Sequence, residues 1–136
     1  SCESYNGLSY TAFGIEDYNT DGFYTPNTTR VYRGYSYSLG VTTNISSIVS
    51  VWIDYNRNGL YEATEWTQVA TASVANSPTY ISILIPATAS TGYTGMRIRS
   101  RLSGTPNGAG DACSIFGSGE TEDYIINILP GGCSRA

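Results

Sequence analysis

The sequence predicts an all-β fold, an antiparallel β-sandwich of the jelly-roll or immunoglobulin-like kind. Three observations carry that expectation. Apolar residues recur with period two rather than the helical period of about 3.6. The runs are short, rich in Ser, Thr, Tyr, Ile and Val, and bounded by Gly, Asn and Pro. No segment carries a helical pattern longer than about two turns. Five to eight such strands in a chain of 136 residues fill one domain, residues 1–136, with no room for a second independent core.

Each run has its own justification. In Tyr35 to Val41 the odd positions Tyr35, Tyr37, Leu39 and Val41 share a face. In Ile48 to Ile53 the residues Val49, Val51 and Ile53 face together, which turns Trp52 to the opposite side, where it covers a second face or meets a partner. Ile81, Ile83 and Ile85 alternate up to Pro86, which has no N–H to extend a ladder. Met96, Ile98 and Leu102 alternate against Arg97, Arg99 and Arg101. The last strand is Tyr124 to Leu129, ended by Pro130-Gly131-Gly132, so that residues 130–136 form a tail. Turn clusters at 19–22, 56–59, 75–78, 103–110 and 117–119 separate the runs.

Composition narrows the chemistry. The chain has no His, and its seven cations are all Arg. Ser-His-Asp and Cys-His nucleophilic sites, His-ligated zinc, Schiff-base lysines and phosphate-loop lysines are therefore all excluded. A net charge of −4 makes nucleic acid a poor partner. No apolar run reaches the roughly 18–20 residues of a spanning helix. A first residue of Ser1 suits a secreted chain whose signal peptide has been removed. Cys2, Cys113 and Cys133 form no CxxC pair, and a disulfide of Cys2 with Cys113 or Cys133 would tie down a terminus. Asn27 and Asn44 begin Asn-x-Ser/Thr sequons, potential glycosylation sites in a secreted protein.

The sharpest motif is Asp54-Tyr55-Asn56-Arg57-Asn58-Gly59-Leu60-Tyr61-Glu62-Ala63-Thr64-Glu65, a full match to the twelve-residue calcium loop. Asp54, Asn56 and Asn58 bring side-chain oxygens to one side of a tight turn, and Gly59 permits the bend. Leu60 offers its carbonyl, Glu62 adds a carboxylate, and Glu65 closes the shell. The preceding strand makes this an EF-hand-like loop in a β context. The competing explanation is an Asn-Gly hairpin turn with solvated acids. Two asparagines lower the ligand charge and point to weak, structural Ca²⁺ binding, Kd about 10⁻⁴–10⁻³ M.

Six of the eleven acids lie in two short segments: Asp54, Glu62 and Glu65, then Glu120, Glu122 and Asp123. Glu120 and Asp123 are further candidates for the same ion. The arginine stripe offers them another partner, through bidentate pairs across adjacent strands. Glu120 with Glu122 as a glycosidase-like pair is disfavoured, because so small a sandwich has little room for a substrate cleft.

Read with their spacing, Val51 to Glu62, Gly95-Met96-Arg97-Ile98-Arg99, Ala112-Cys113 and Gly119-Glu120-Thr121-Glu122-Asp123-Tyr124 resemble the GEVED domain family over about residues 23–129. The resemblance implies a secreted bacterial β-sandwich module, accessory to peptidases or adhesins and without established catalytic residues. Asn58 stands where that family usually has Asp, Thr121 replaces the namesake Val, and residues 1–22 match poorly.

Twelve tyrosines and two tryptophans raise the possibility of a glycan-stacking platform. Alternation and turn geometry send Tyr35, Tyr37, Tyr61 and Tyr124 toward the core and leave Tyr24, Tyr32, Tyr55 and Trp66 as the exposed candidates. The leading expectation is a non-catalytic, calcium-stabilised extracellular structural or adhesive module that associates with copies of itself, even into a cell-surface fibre. The alternative is an accessory module binding polysaccharide or an extracellular protein. A small hydrolase is the weakest reading.

Overall fold

The computed structural model describes Ser4 and residues 29–131. Seven strands run in chain order: β1 Thr29–Tyr32, β2 Ser36–Val41, β3 Ser47–Ile53, β4 Trp66–Ala70, β5 Thr79–Leu84, β6 Gly92–Leu102 and β7 Glu120–Leu129, with one 3₁₀ turn at Ala63–Glu65. They form a five-stranded sheet in the order β1-β7-β6-β3-β4 and a two-stranded sheet of β2 with β5. The architecture is all-β and sandwich-like.

Alternation decides which face each strand buries. Val49, Val51 and Ile53 of β3 and Ile126 and Ile128 of β7 point to one side of the large sheet, where they meet Ile83 of β5 and Ile85. Tyr37, Leu39, Val41 and Ile81 pack against the same core from the small sheet. Trp52, facing the other way, is fully buried with Tyr61 and Ala112 in a second cluster. It therefore covers the second face of the sheet.

That second face carries the arginines. The register sets Trp52 opposite Arg97 on β3–β6, and Arg97 opposite Asp123 on β6–β7. The long loop after β6 crosses this face, and its carbonyls are taken one by one. Trp52 Nε1 donates to Ala109 O at 3.0 Å, Arg97 Nη1 to Ala112 O at 2.9 Å, Arg101 Nη1 to Pro106 O at 2.7 Å, and Arg99 Nη1 to Asp111 O. Asn107, buried, caps the arrangement by donating to Ile48 O and Arg99 O. A turn-rich loop with no strand partners is held by side-chain donors on the sheet beneath it.

Three expectations are corrected. The sheet is mixed, because β1 runs parallel to β7. A four-residue edge strand has too little alternation to be read from sequence. β4 was not anticipated either; it is an edge strand whose pairing with β3 shifts register between Val49 and Ser50. Tyr35 and Tyr124 do not enter the core, being 54% and 37% exposed. Tyr35 precedes β2, where its ring tilts against Tyr32, and the Tyr124 hydroxyl donates to Glu122 Oε1. The turn at 19–22 and residues 132–136 of the tail lie outside the described residues, as do Cys2, Cys133, Tyr24 and Asn27.

Candidate functional site

The loop that follows β3 organises itself around Asp54. Its backbone is clamped to β6, with Asp54 N donating to Gly95 O at 3.1 Å and Thr94 Oγ1 donating to Asp54 O at 2.8 Å. The side chain is fully buried. Its Oδ1 accepts from Asn58 N at 3.3 Å and its Oδ2 from Gly59 N at 2.9 Å. Asn56 Oδ1 also accepts from Asn58 N, and Asn58 Oδ1 accepts from Leu60 N at 3.0 Å. These short-range bonds are what Asx side chains do in turns. Arg57 and Gly59 adopt left-handed backbone, φ 53° and 86°. Gly59 takes that region without the Cβ penalty, and Arg57 is held there as its Nε donates to Tyr93 O at 2.8 Å.

Glu65 closes the loop from the other side. The 3₁₀ turn folds it back so that Oε1 accepts from Glu62 N at 3.0 Å, while Glu62 Oε1 accepts from Asn56 Nδ2 at 3.0 Å. Glu65 is buried, and its Oε2 has no hydrogen-bond partner. Burial first, then the Asp54 and Glu62 charges, push the Glu65 carboxyl up from 4.5 to about 7, against the lowering effect of the Glu62 and Asn56 N–H groups. Burial and the Glu65 charge likewise raise the Tyr55 hydroxyl to about 12.

Glu65 and Asp54 are buried carboxyl groups within range of one another's charge, and one Glu65 oxygen has no hydrogen-bond partner. The donors of the loop are hard oxygens, carboxylate, amide and carbonyl, which suit Ca²⁺. Among the described residues no three His, Cys, Asp or Glu side chains converge, so Asn56, Asn58 and the Leu60 carbonyl have to complete any shell.

Glu120 and Asp123 are not brought to this loop. Asp54 meets β6 at Gly95, whereas Glu120 pairs with Ser100 toward the opposite end of that strand. Asp123 forms a bidentate pair with Arg97, Nε to Oδ1 at 2.8 Å and Nη2 to Oδ2 at 3.0 Å. The cross-strand ion pair expected from the arginine stripe is therefore present at one position. Arg99 turns instead to Thr121 Oγ1, and Arg99 and Arg101 both lie over the Phe116 ring. Glu120 and Glu122 line a shallow groove of about 540 Å³ with Val41, Ile45 and Leu102.

Of the aromatic candidates, Tyr32 is 44% exposed, with Tyr35 at 6.1 Å between ring centroids and 58° between planes. Tyr55 is half-buried against the main core and Trp66 against the Trp52 cluster. The exposure expected for those two does not materialise, and no coplanar row forms from them. Asn44 is exposed in the loop between β2 and β3. Sequence reasoning missed the role of Asn107 and Phe116, since neither sits in a recurring pattern.

No helix among the described residues is long and apolar enough to cross a membrane. No curated protein matches the chain. The profile of the GEVED domain matches residues 48–127, from the start of the Val49–Ile53 run through the calcium-loop motif and the arginine strand to the acidic segment of β7. That span covers more than half of the sequence, and the chain belongs to the GEVED domain family, a family of small β domains not known for catalysis.

Proposed function

We propose that this chain is a non-catalytic extracellular module, stabilised by Ca²⁺ in the Asp54–Glu65 loop, with a structural or adhesive role and self-association as its mode of action. The observation that carries the calcium part is the buried Glu65 carboxylate with its unpartnered Oε2 close enough to Asp54 to feel its charge. Asp54, Asn56, Asn58, the Leu60 carbonyl and Glu65 would hold the ion, and Glu62 lies beside them. The ion would neutralise the two carboxylates and lock β3 to the 3₁₀ turn.

The test is thermal unfolding in calcium and in a chelator. For Kd about 10⁻⁴–10⁻³ M, 1 mM calcium stabilises the folded state by about 0.4–1.4 kcal/mol, a rise of roughly 1–5 °C in Tm. Identical melting in both conditions would remove the loop as a site. Secretion and a disulfide from Cys113 to Cys2 or Cys133 belong to the same reading, supported by Cys113 being bonded and not a free thiol.

The accessory-module reading is favoured by a different observation, the exposed Tyr32–Tyr35 pair. It predicts binding to a polysaccharide or an extracellular protein that falls at least about tenfold with Tyr32→Ala, a loss of about 1.4 kcal/mol. A binding panel on which wild type and variant behave alike would dismiss it.

A further inference from the structure

The sequence has three Asn-Gly steps, Asn6-Gly7, Asn58-Gly59 and Asn107-Gly108, and the first lies outside the described residues. The other two sit in opposite surroundings. Asn58 is exposed to water, with its Oδ1 accepting from Leu60 N at 3.0 Å and the following amide, Gly59 N, donating to Asp54 Oδ2 at 2.9 Å. Asn107 is buried, its Nδ2 is held by the Ile48 and Arg99 carbonyls, and its Oδ1 has no donor.

We propose that Asn58 is a self-modifying residue, losing its side-chain amide as ammonia through a succinimide formed with Gly59, with Asp54 as the base and the Leu60 amide as the oxyanion donor.

The atoms balance as follows. Gly59 N attacks Asn58 Cγ while Asp54 Oδ2 takes the Gly59 amide proton, forming one C–N bond. The carbonyl electron pair moves onto Asn58 Oδ1, where the Leu60 N–H already points. Collapse of that tetrahedral centre breaks Cγ–Nδ2, the proton on Asp54 passes to the departing nitrogen, and ammonia leaves with the carboxylate regenerated. Water then opens the five-membered imide at either carbonyl, giving an aspartyl or an isoaspartyl linkage. Gly59 is the favourable nucleophile because it presents no Cβ to the incoming carbon. Asn107 also has a carboxylate on the following amide, Asp111 Oδ2 accepting from Gly108 N at 2.7 Å. What Asn107 lacks is the oxyanion donor and access of water.

The aspartyl product adds one negative charge to the loop. That consequence rests on the calcium reading above; the reaction itself does not. In its aspartyl form the loop binds Ca²⁺ more tightly than in its encoded form, while the isoaspartyl form lengthens the backbone by a methylene and loosens it.

The experiment is peptide mapping by mass spectrometry of the whole protein held at neutral pH in a chelator, folded and in denaturant. Conversion reads as a gain of about 1 Da. The expected result is that Asn58 converts at least about tenfold faster in the folded protein than in the denatured chain, as a positioned base requires. Asn107 reverses that order, and the two residues converge in denaturant. Asp54→Asn should slow Asn58 in the folded protein; if that variant fails to fold, the comparison of Asn58 with Asn107 in the wild type still decides. An Asn58 that is slower folded than denatured overturns the proposal. Added calcium should slow conversion, since it engages Asp54 and Asn58. Fast folded conversion indifferent to calcium would leave the deamidation standing and count against the calcium site instead.

Discussion

At Glu65 the carboxyl is pushed up from 4.5 to about 7, by burial first and by Asp54 and Glu62 after that. A raised carboxyl favours the protonated form in the folded state, so its contribution to stability is fully present below about pH 4.5 and is lost as pH rises through about 7. Thermal melts in a chelator should therefore show stability falling over that window. In calcium the ionised carboxylate acquires a partner, and the fall should flatten or reverse. Glu65→Gln removes the buried charge. It should raise or preserve stability in chelator while abolishing the response to calcium, whereas a variant that still gains Tm with calcium would exclude Glu65 as a ligand. The Asx turns of Asn56 and Asn58, and the bend at Gly59, were legible in the sequence because they involve neighbours within a few residues. The unpartnered Oε2 of Glu65 was not, since its burial depends on how the 3₁₀ turn packs beneath the strands.

At the scale of elements, the strand pair β6–β7 is held by both its ladder and the Arg97–Asp123 fork. Both side chains are largely buried, 9% and 22% exposed, so removing one leaves a poorly solvated charge. Arg97→Met should cost about 3 kcal/mol in urea unfolding, and Arg97→Met combined with Asp123→Leu should recover much of that loss. Full additivity of the two changes would refute the coupling. A second element-scale prediction concerns the entry into β7. Gly119 has φ 92°, and a Cβ there would lie 2.3 Å from Ser100 O. Gly119→Ala combines left-handed strain of about 1–2 kcal/mol with a backbone collision, and β7 should start later or the protein should melt at lower temperature. Strand β6 and its arginine alternation were readable as a period-two pattern. The start of β7 at Glu120 was not, because Glu120 to Asp123 look like a solvated acidic turn until Arg97 and Arg99 are placed opposite them.

On the scale of the molecule, the small sheet of β2 and β5 covers the main core, and its outward face presents Tyr80 and Leu84, 67% and 59% exposed, among serines. Unpaired strand edges are templates for addition of another chain. If self-association is the mode of action, negative-stain images and size analysis of the mature protein in millimolar calcium should give defined oligomers or filaments. A strictly monomeric chain at high concentration would end that reading and leave the accessory module.

The sequence by itself determined what is local: the β class through period-two alternation, the inward faces of β3 and β6, the turn at Asn56 to Gly59, and the order of four motifs that belong to the GEVED family. Side-chain periodicity and turn chemistry act over a dozen residues or fewer, so they survive without knowledge of the rest of the chain. Tertiary structure alone decided the parallel placement of β1, the laying of the loop after β6 across the arginines, the pairing of Asp123 with Arg97 away from the Asp54–Glu65 loop, and the outward turn of Tyr35 and Tyr124. Each of these depends on register between strands distant in sequence, and a shift of one residue in any of them would send the same side chains to the opposite face.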